Sequence, residues 1–289
     1  MKNKPICFAL IVVFNTFLLN AQANDTEAAL YNIGFGAVFS TIGAVINKTP
    51  DEPLGDVIKK SMWQGALGGY VTFESKRLLR EAQRKHKWEY IWGAKFVNAT
   101  GTSIKENAAL NKDFWERWHI NIGFNRIEFN TKDTFSVHYK LLPVAFVYTA
   151  DAFLRFDFDF EQSLKSGEFV FYFEGGNDSS HAFATAGYMA LNINYLNKFH
   201  TQDEVFRLST HEIVHLYQSN DFSVFNTFIN KPLERWSKRQ KTVKWINTYL
   251  YPEYHYLILR PAYLIEEATA KSYSDNFFER EAGYYSEGL

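Results

Sequence analysis

The chain predicts an α+β fold: a glycine-rich helical N-terminal region, an antiparallel sheet, and C-terminal helices that carry the chemistry. Three stretches lead there. Residues 28–47 form a run of 20 positions without a charge that includes Gly34, Gly36 and Gly43, and residues 61–73 repeat the character with Gly65, Gly68 and Gly69. Residues 115–175 then alternate apolar and polar side chains, the period of half-buried strands. Finally, residues 201–218, TQDEVFRLSTHEIVHLYQ, set His211 and His215 four apart inside an apolar helical pattern.

Taken in order, residues 1–23 read as a secretory signal. Lys2 and Lys4 precede the apolar run Ile6 to Leu19, and Ala21-Gln22-Ala23 supplies a small-x-small cleavage pattern, so cleavage is expected after Ala23. Cys7 is the only cysteine and leaves with that segment, so the mature chain has no disulfide and no thiol chemistry. An exported chain without disulfides points to a bacterial envelope, either the periplasm or the outer envelope. The net charge of −1 gives no sign of a nucleic-acid partner.

Residues 24–110 are expected to be helical. Small residues at these spacings let helices approach closely, which fits either a hairpin packed on the core or a region lying against a bilayer. Tyr31, Asn32, Ser40 and Thr41 weaken the first run as a spanning helix. The run ESKRLLREAQRKHK at 74–87 reads as a solvated basic helix.

Residues 111–289 should hold the sheet and the catalytic part. Strands are expected over His119 to Phe129, Thr134 to Lys140, Phe153 to Phe160 and Glu168 to Glu174. The turns between the later strands fall at Asn130 to Asp133, at Ser166-Gly167, and at Gly175-Gly176-Asn177-Asp178. Asp157 and Asp159 would share a solvated polar face. Ala184 to Asn192 adds one more strand immediately before the His-containing helix.

Thr201 followed by Glu204 has the spacing of a capping box, so that helix should begin there. Its histidines stack on one face and can point at a single ion. Glu212 stands on the flank, where a general base acting on a metal-activated water belongs. Val205, Leu208, Ile213 and Leu216 would bury the helix. A catalytic zinc site needs a third protein ligand and an open position. Asp221 has the metzincin spacing HExxHxxGxxH/D, but Gln218 stands where that pattern needs a glycine to turn the chain. Two downstream glutamates remain, Glu267 in EATA and Glu279 in EREA.

HEIVH followed at a distance by E-x-x-A resembles the gluzincins, the thermolysin-like zinc peptidases whose third ligand is a helical glutamate. Asp275 to Ala282 (DNFFEREA) also resembles the NPxExEA motif that accompanies HExxHxxQ in uncharacterised bacterial zinc peptidases, with Gln218 as the glutamine. The resemblance covers residues 201–220 and 263–285. It implies zincin-like C-terminal helices, Zn2+ held by His211, His215 and Glu279, Glu212 as general base, and a protein or peptide substrate. It also implies a Tyr or His donor to the oxyanion, for which Tyr249, Tyr263 and His255 are candidates. If Asn276 caps the last helix, Glu279 is its third residue, oriented by the helix dipole. The competing expectation is a non-enzymatic, membrane-associated envelope protein with a structural metal site.

Overall fold

The computed structural model describes residues 24–176, 180–199 and 201–286. The expected signal segment, residues 1–23, lies outside the described residues. The fold is α+β, with helices at both ends of the chain and strands between them.

Three long helices open the structure: α1 (Asp25–Asn47), α2 (Leu54–Lys85) and α3 (Trp88–Ala109). The glycines explain how closely α1 and α2 approach. A Cβ added at Gly65 would sit 2.3 Å from the Gly36 carbonyl oxygen, and one at Gly69 would sit 2.1 Å from that of Asn32. No side chain fits between the two backbones there. Helix α1 is also long and apolar enough to cross a membrane by length and composition. In this fold its Phe35 and Phe39 pack with Phe222, Phe225, Phe277 and Phe278 in one core cluster. Its polar groups are met inside as well: Ser40 Oγ donates to the Lys105 carbonyl, and Asn47 Nδ2 donates to the carbonyls of Ala109 and Thr227.

The run at 74–87 is not a wholly solvated helix. It forms the last turns of α2, where Lys76 and Arg80 are buried because each meets a carboxylate: Lys76 meets Asp221 and Glu281, and Arg80 meets Asp25.

The expected single meander is two sheets. Strands β1 (Arg117–Ile122), β2 (Asn125–Asn130) and β3 (Ser136–Leu141) form an antiparallel sheet in the order β1-β2-β3. The segment read as one strand, 119–129, is in fact a hairpin, turned at Gly123 with φ of +56°. Residues 143–155 form α4 (Pro143–Arg155), and only β4 (Asp157–Phe158) remains of the expected strand over 153–160. Alternation was misleading here because Asp159 caps a short helix, α5 (Phe160–Ser166), by accepting from the Gln162 N–H.

The second sheet orders β4, β5 (Phe169–Phe173), β7 (Tyr188–Asn192) and β6 (Ala182–Thr185). Strands β5 and β7 are parallel, while β4 and β6 run antiparallel to their neighbours. The expected strand 184–192 is likewise a hairpin, because Gly187 adopts φ of +81°. Strand β7 is buried along its whole length, and β4 and β6 are the two edges of this sheet.

Helices α6 (Ile193–Phe199) and α7 (Gln202–Phe222) follow. A 3-10 segment, Ser223–Ile229, leads to α8 (Asn230–Arg239), α9 (Lys241–Tyr249) and α10 (Tyr256–Thr269). A short turn, Tyr273–Asp275, then opens α11 (Phe277–Ser286). Helix α10 starts five residues before Pro261, which lies inside it. Helix α7 packs on α2, α11 and both strands β6 and β7, so it is buried on most sides. Its apolar set includes Phe206, Leu208, Ile213 and Leu216, with Phe206 rather than Val205 fully buried. The capping box is not made. The Thr201 side chain makes no cap bond, and Glu204 accepts from the Tyr195 hydroxyl and from Arg207 instead.

Candidate metal centre

Helix α7 carries His211 and His215 on the face turned toward α11, whose third residue is Glu279. Asn276 begins α11 as expected: its Oδ1 accepts from the Phe278 N–H at 2.9 Å. That cap fixes the first turn and aims Glu279 at the two imidazoles. His211 Nε2 and His215 Nε2 are 3.2 Å apart, and Glu279 Oε2 lies 3.3 and 3.4 Å from them. Two donors bound about 2.0–2.1 Å from one tetrahedral zinc ion stand roughly 3.3 Å apart, so this triangle has the size such an ion requires. Among the described residues these three form the one group of three or more His, Cys, Asp or Glu side chains close enough together to hold a metal ion.

The partners of each donor leave the right atoms free. Gln218 Nε2 donates to the Phe278 carbonyl at 2.8 Å and to Glu281 Oε2 at 2.9 Å, so its amide oxygen must face His215. That oxygen accepts from His215 Nδ1 at 2.8 Å, so the neutral imidazole keeps its proton on Nδ1 and Nε2 is the atom that would bind a metal. His211 Nδ1 is held by Ser286 Oγ at 3.3 Å. Glu279 is gripped at its other oxygen: the Tyr263 hydroxyl donates to Oε1 at 2.7 Å.

The electrostatics favour a cation. Burial pulls the Glu279 carboxyl upward, but hydrogen bonds to His211 and His215 outweigh it and hold the group far below the usual carboxylate range. Burial would make His215 less basic, yet bonding to Glu279 and the charge of Glu212 push it up to about 9. The two carboxylates thus draw positive charge onto His215, which is the demand a dication satisfies. Glu212 itself is buried, and burial raises its pKa. Its Oε2 has no protein hydrogen-bond partner, an orphaned polar atom beside the three donors.

A buried charge network lies behind the donors. Glu281 accepts from Lys76 at 2.8 Å, Lys76 also pairs with Asp221 at 2.8 Å, and Asp221 pairs with Lys105 at 2.5 Å. Asp221, which has the spacing of a third ligand, is therefore committed to two lysines. Burial alone would raise its pKa, but Lys105 and Lys76 hold it below the usual value. Glu267 is exposed on α10 and is not brought to the histidines.

The aromatic candidates also part ways. Tyr249 is exposed on α9, and Tyr263 is spent on Glu279. His255 contacts Ser219 Oγ through Nε2 at 3.2 Å and Asn226 through Nδ1 at 3.1 Å. This looks like a Ser-His-Asn triad. However, Asn226 Oδ1 already accepts from the His255 backbone N–H at 2.8 Å, which leaves the amide NH2 to face Nδ1. The resulting tautomer carries its proton on Nε2 and cannot accept one from Ser219.

The sequence reading missed two kinds of residue. Lys76 and Lys105 carry no local signal, since only the fold brings them beneath the candidate ligands. Tyr273, in the turn before α11, is 72% exposed yet within hydrogen-bond reach of Glu279.

No family model matches the chain, and comparison with curated proteins and with solved structures likewise gives no match.

Proposed function

We propose that this protein is a zinc metallopeptidase of the gluzincin type, with His211, His215 and Glu279 as ligands and Glu212 as general base. The observation that carries the reading is the triangle of two Nε2 atoms and one Oε2 with sides of 3.2, 3.3 and 3.4 Å, beside an unpartnered buried carboxylate. When bound there, zinc supplies a Lewis acid that acidifies a water molecule and polarises a carbonyl. With zinc bound, Glu212 would be the group to take a proton from that water and hand it to the leaving amine. Gln218 and Ser286 hold the imidazole tautomers, and Tyr263 fixes the glutamate rotamer. Three protein donors without a fourth, among the described residues, favour a catalytic site over a closed structural one.

The same proposal makes residues 1–23 an export signal and α1 a helix of the folded protein, with the mature chain in the periplasm or outer envelope. The N-terminal sequence of the exported protein, starting at Asn24, is the direct check.

Zinc content and peptide hydrolysis test the reading together. The parent chain should bind one zinc, and Glu279→Ala should lose it while Glu267→Ala keeps it. Glu212→Gln should retain the metal and lose about 10²–10⁴-fold in turnover of a general protein substrate. A folded parent chain that binds no zinc sinks the proposal.

A further inference from the structure

Helices α8 and α9 form a hairpin whose chemistry the zinc site does not use. Its base is tied down: the Lys231 ammonium donates to the Lys48 carbonyl, and Asn47 Nδ2 donates to the Thr227 carbonyl just before α8. Beyond that base, neither helix contains a buried residue. Over residues 230–249 the hairpin holds six Lys or Arg and a single Glu, a net charge of +5. The whole chain is −1, so the rest of it is net −6 and the positive charge is concentrated here. Arg235, Lys238, Arg239, Lys241 and Lys244 are all exposed, and among the described residues none has an ion-pair partner. Exposed cations elsewhere are of both kinds: Lys132 and Lys165 pair with carboxylates, while Lys59, Lys87, Arg260 and Lys271 have no ion-pair partner among the described residues but are not clustered in sequence as these five are.

Two large aromatics stand among these charges. Trp236 and Trp245 are 58% and 56% exposed, and Lys241, Trp245 and Tyr249 follow one another at i, i+4 along α9. The inner face is supplied by Leu233, Val243 and Ile246, which are half-buried. Each helix is thus apolar inward, and outward it mixes cations with indole rings. An exposed Trp costs solubility and does nothing for a face meant only to be hydrated. At a bilayer surface its amphipathic ring sits at headgroup depth, while Lys and Arg reach the phosphates.

We propose that the α8–α9 hairpin docks this protein on an anionic phospholipid surface, with its five unpaired cations on the headgroups and Trp236 and Trp245 at the interface. The inference is independent of the zinc reading. A nucleic-acid duplex would use the cations without needing two half-exposed indoles, whereas a single strand could stack its bases on them, so a single strand is a competitor in the test.

The test is co-sedimentation of the full-length protein with vesicles of phosphatidylcholine alone or with about one-third phosphatidylglycerol. Variants are compared with the parent, so that any contribution of residues 1–23 is common to all. Binding to the anionic vesicles should be at least about tenfold tighter and should weaken as salt rises. Replacing Lys238, Arg239, Lys241 and Lys244 together with Gln should abolish that preference. Trp236→Ser with Trp245→Ser should weaken anionic-vesicle binding about tenfold while keeping its salt dependence. All the changed side chains are exposed, and far-UV circular dichroism verifies that each variant is folded. Equal binding to both vesicle types, or folded variants that bind like the parent, would overturn the proposal. So would a short single-stranded DNA, or a DNA duplex, that binds as tightly as the anionic vesicles.

Discussion

Gln218 joins the candidate ligands to the charges behind them. Its oxygen accepts from His215 Nδ1, and its nitrogen donates to Glu281, which Lys76 neutralises. Replacing it with Leu keeps the volume but frees His215 to rotate and to take the other tautomer. Zinc affinity measured by competition with a chelator should then fall about 10–100-fold with the fold retained. Gln218→Glu should recover part of that loss, because a carboxylate still accepts from Nδ1, although it faces Glu281. At this scale the sequence was most readable. His211, Glu212, His215, Gln218 and Glu279 all stand out by spacing, and the structure brings the three donor atoms within 4.8 Å of one another. The choice between Glu279 and Glu267 could be argued from Asn276, because an N-cap is a local feature and one residue names it.

Elements were less legible, and glycine explains most of the difference. Gly123 and Gly187 each take positive φ and fold an apparently continuous strand into a hairpin. In sequence, a single glycine inside an alternating run is ambiguous between a bulge and a turn. The glycines of α1 and α2 were read for close approach, and the packing bears this out. Helix propensity alone says that Gly→Ala stabilises a helix by up to about 1 kcal/mol. Gly69→Ala should do the opposite and destabilise by roughly 1–3 kcal/mol, since its Cβ would lie 2.1 Å from the Asn32 carbonyl oxygen. Gly93→Ala, in α3 with open space around it, should follow propensity and stabilise. Urea midpoints of the two variants, moving in opposite directions, check both the contact and its cause.

Across the molecule, buried charged groups lie beside the aromatic core. Glu106 is fully buried with Arg126 and Arg117, and Tyr251 and Ser223 donate to it. Burial would raise its carboxyl, but Arg126, His119 and Arg117 hold it down at about 2. His119 sits against the same group, between Thr102 and Ser103. Burial, then repulsion from Arg126, lowers it to about 3, and burial does the same to His255. A histidine whose folded pKa lies below its unfolded value of about 6.5 costs nothing above that pH. As pH falls from about 6.5 towards 3 the unfolded chain takes up protons that the folded chain refuses, so stability drops. Each of the two histidines should remove on the order of 3 kcal/mol by pH 4, and Glu106 adds its own loss below about 4.5. Urea midpoints should therefore decline steeply below pH 6. In His119→Gln the decline should be shallower, because one of the groups that drives it is gone.

Sequence by itself determined what depends on neighbours along the chain. The α+β class, the helix that stacks His211 on His215, the N-cap that aims Glu279, and the glycines that admit two backbones are all set by residues a few positions apart. Tertiary structure alone decided the outcomes that join distant segments. It sent Lys76 and Lys105 beneath the candidate ligands, committed Asp221 to them, gave Tyr263 to Glu279, and split one expected sheet into two. The physical reason is burial. A charge such as Lys76 reads as solvated until the fold closes over it, and after that it must find a carboxylate, from whichever part of the chain supplies one.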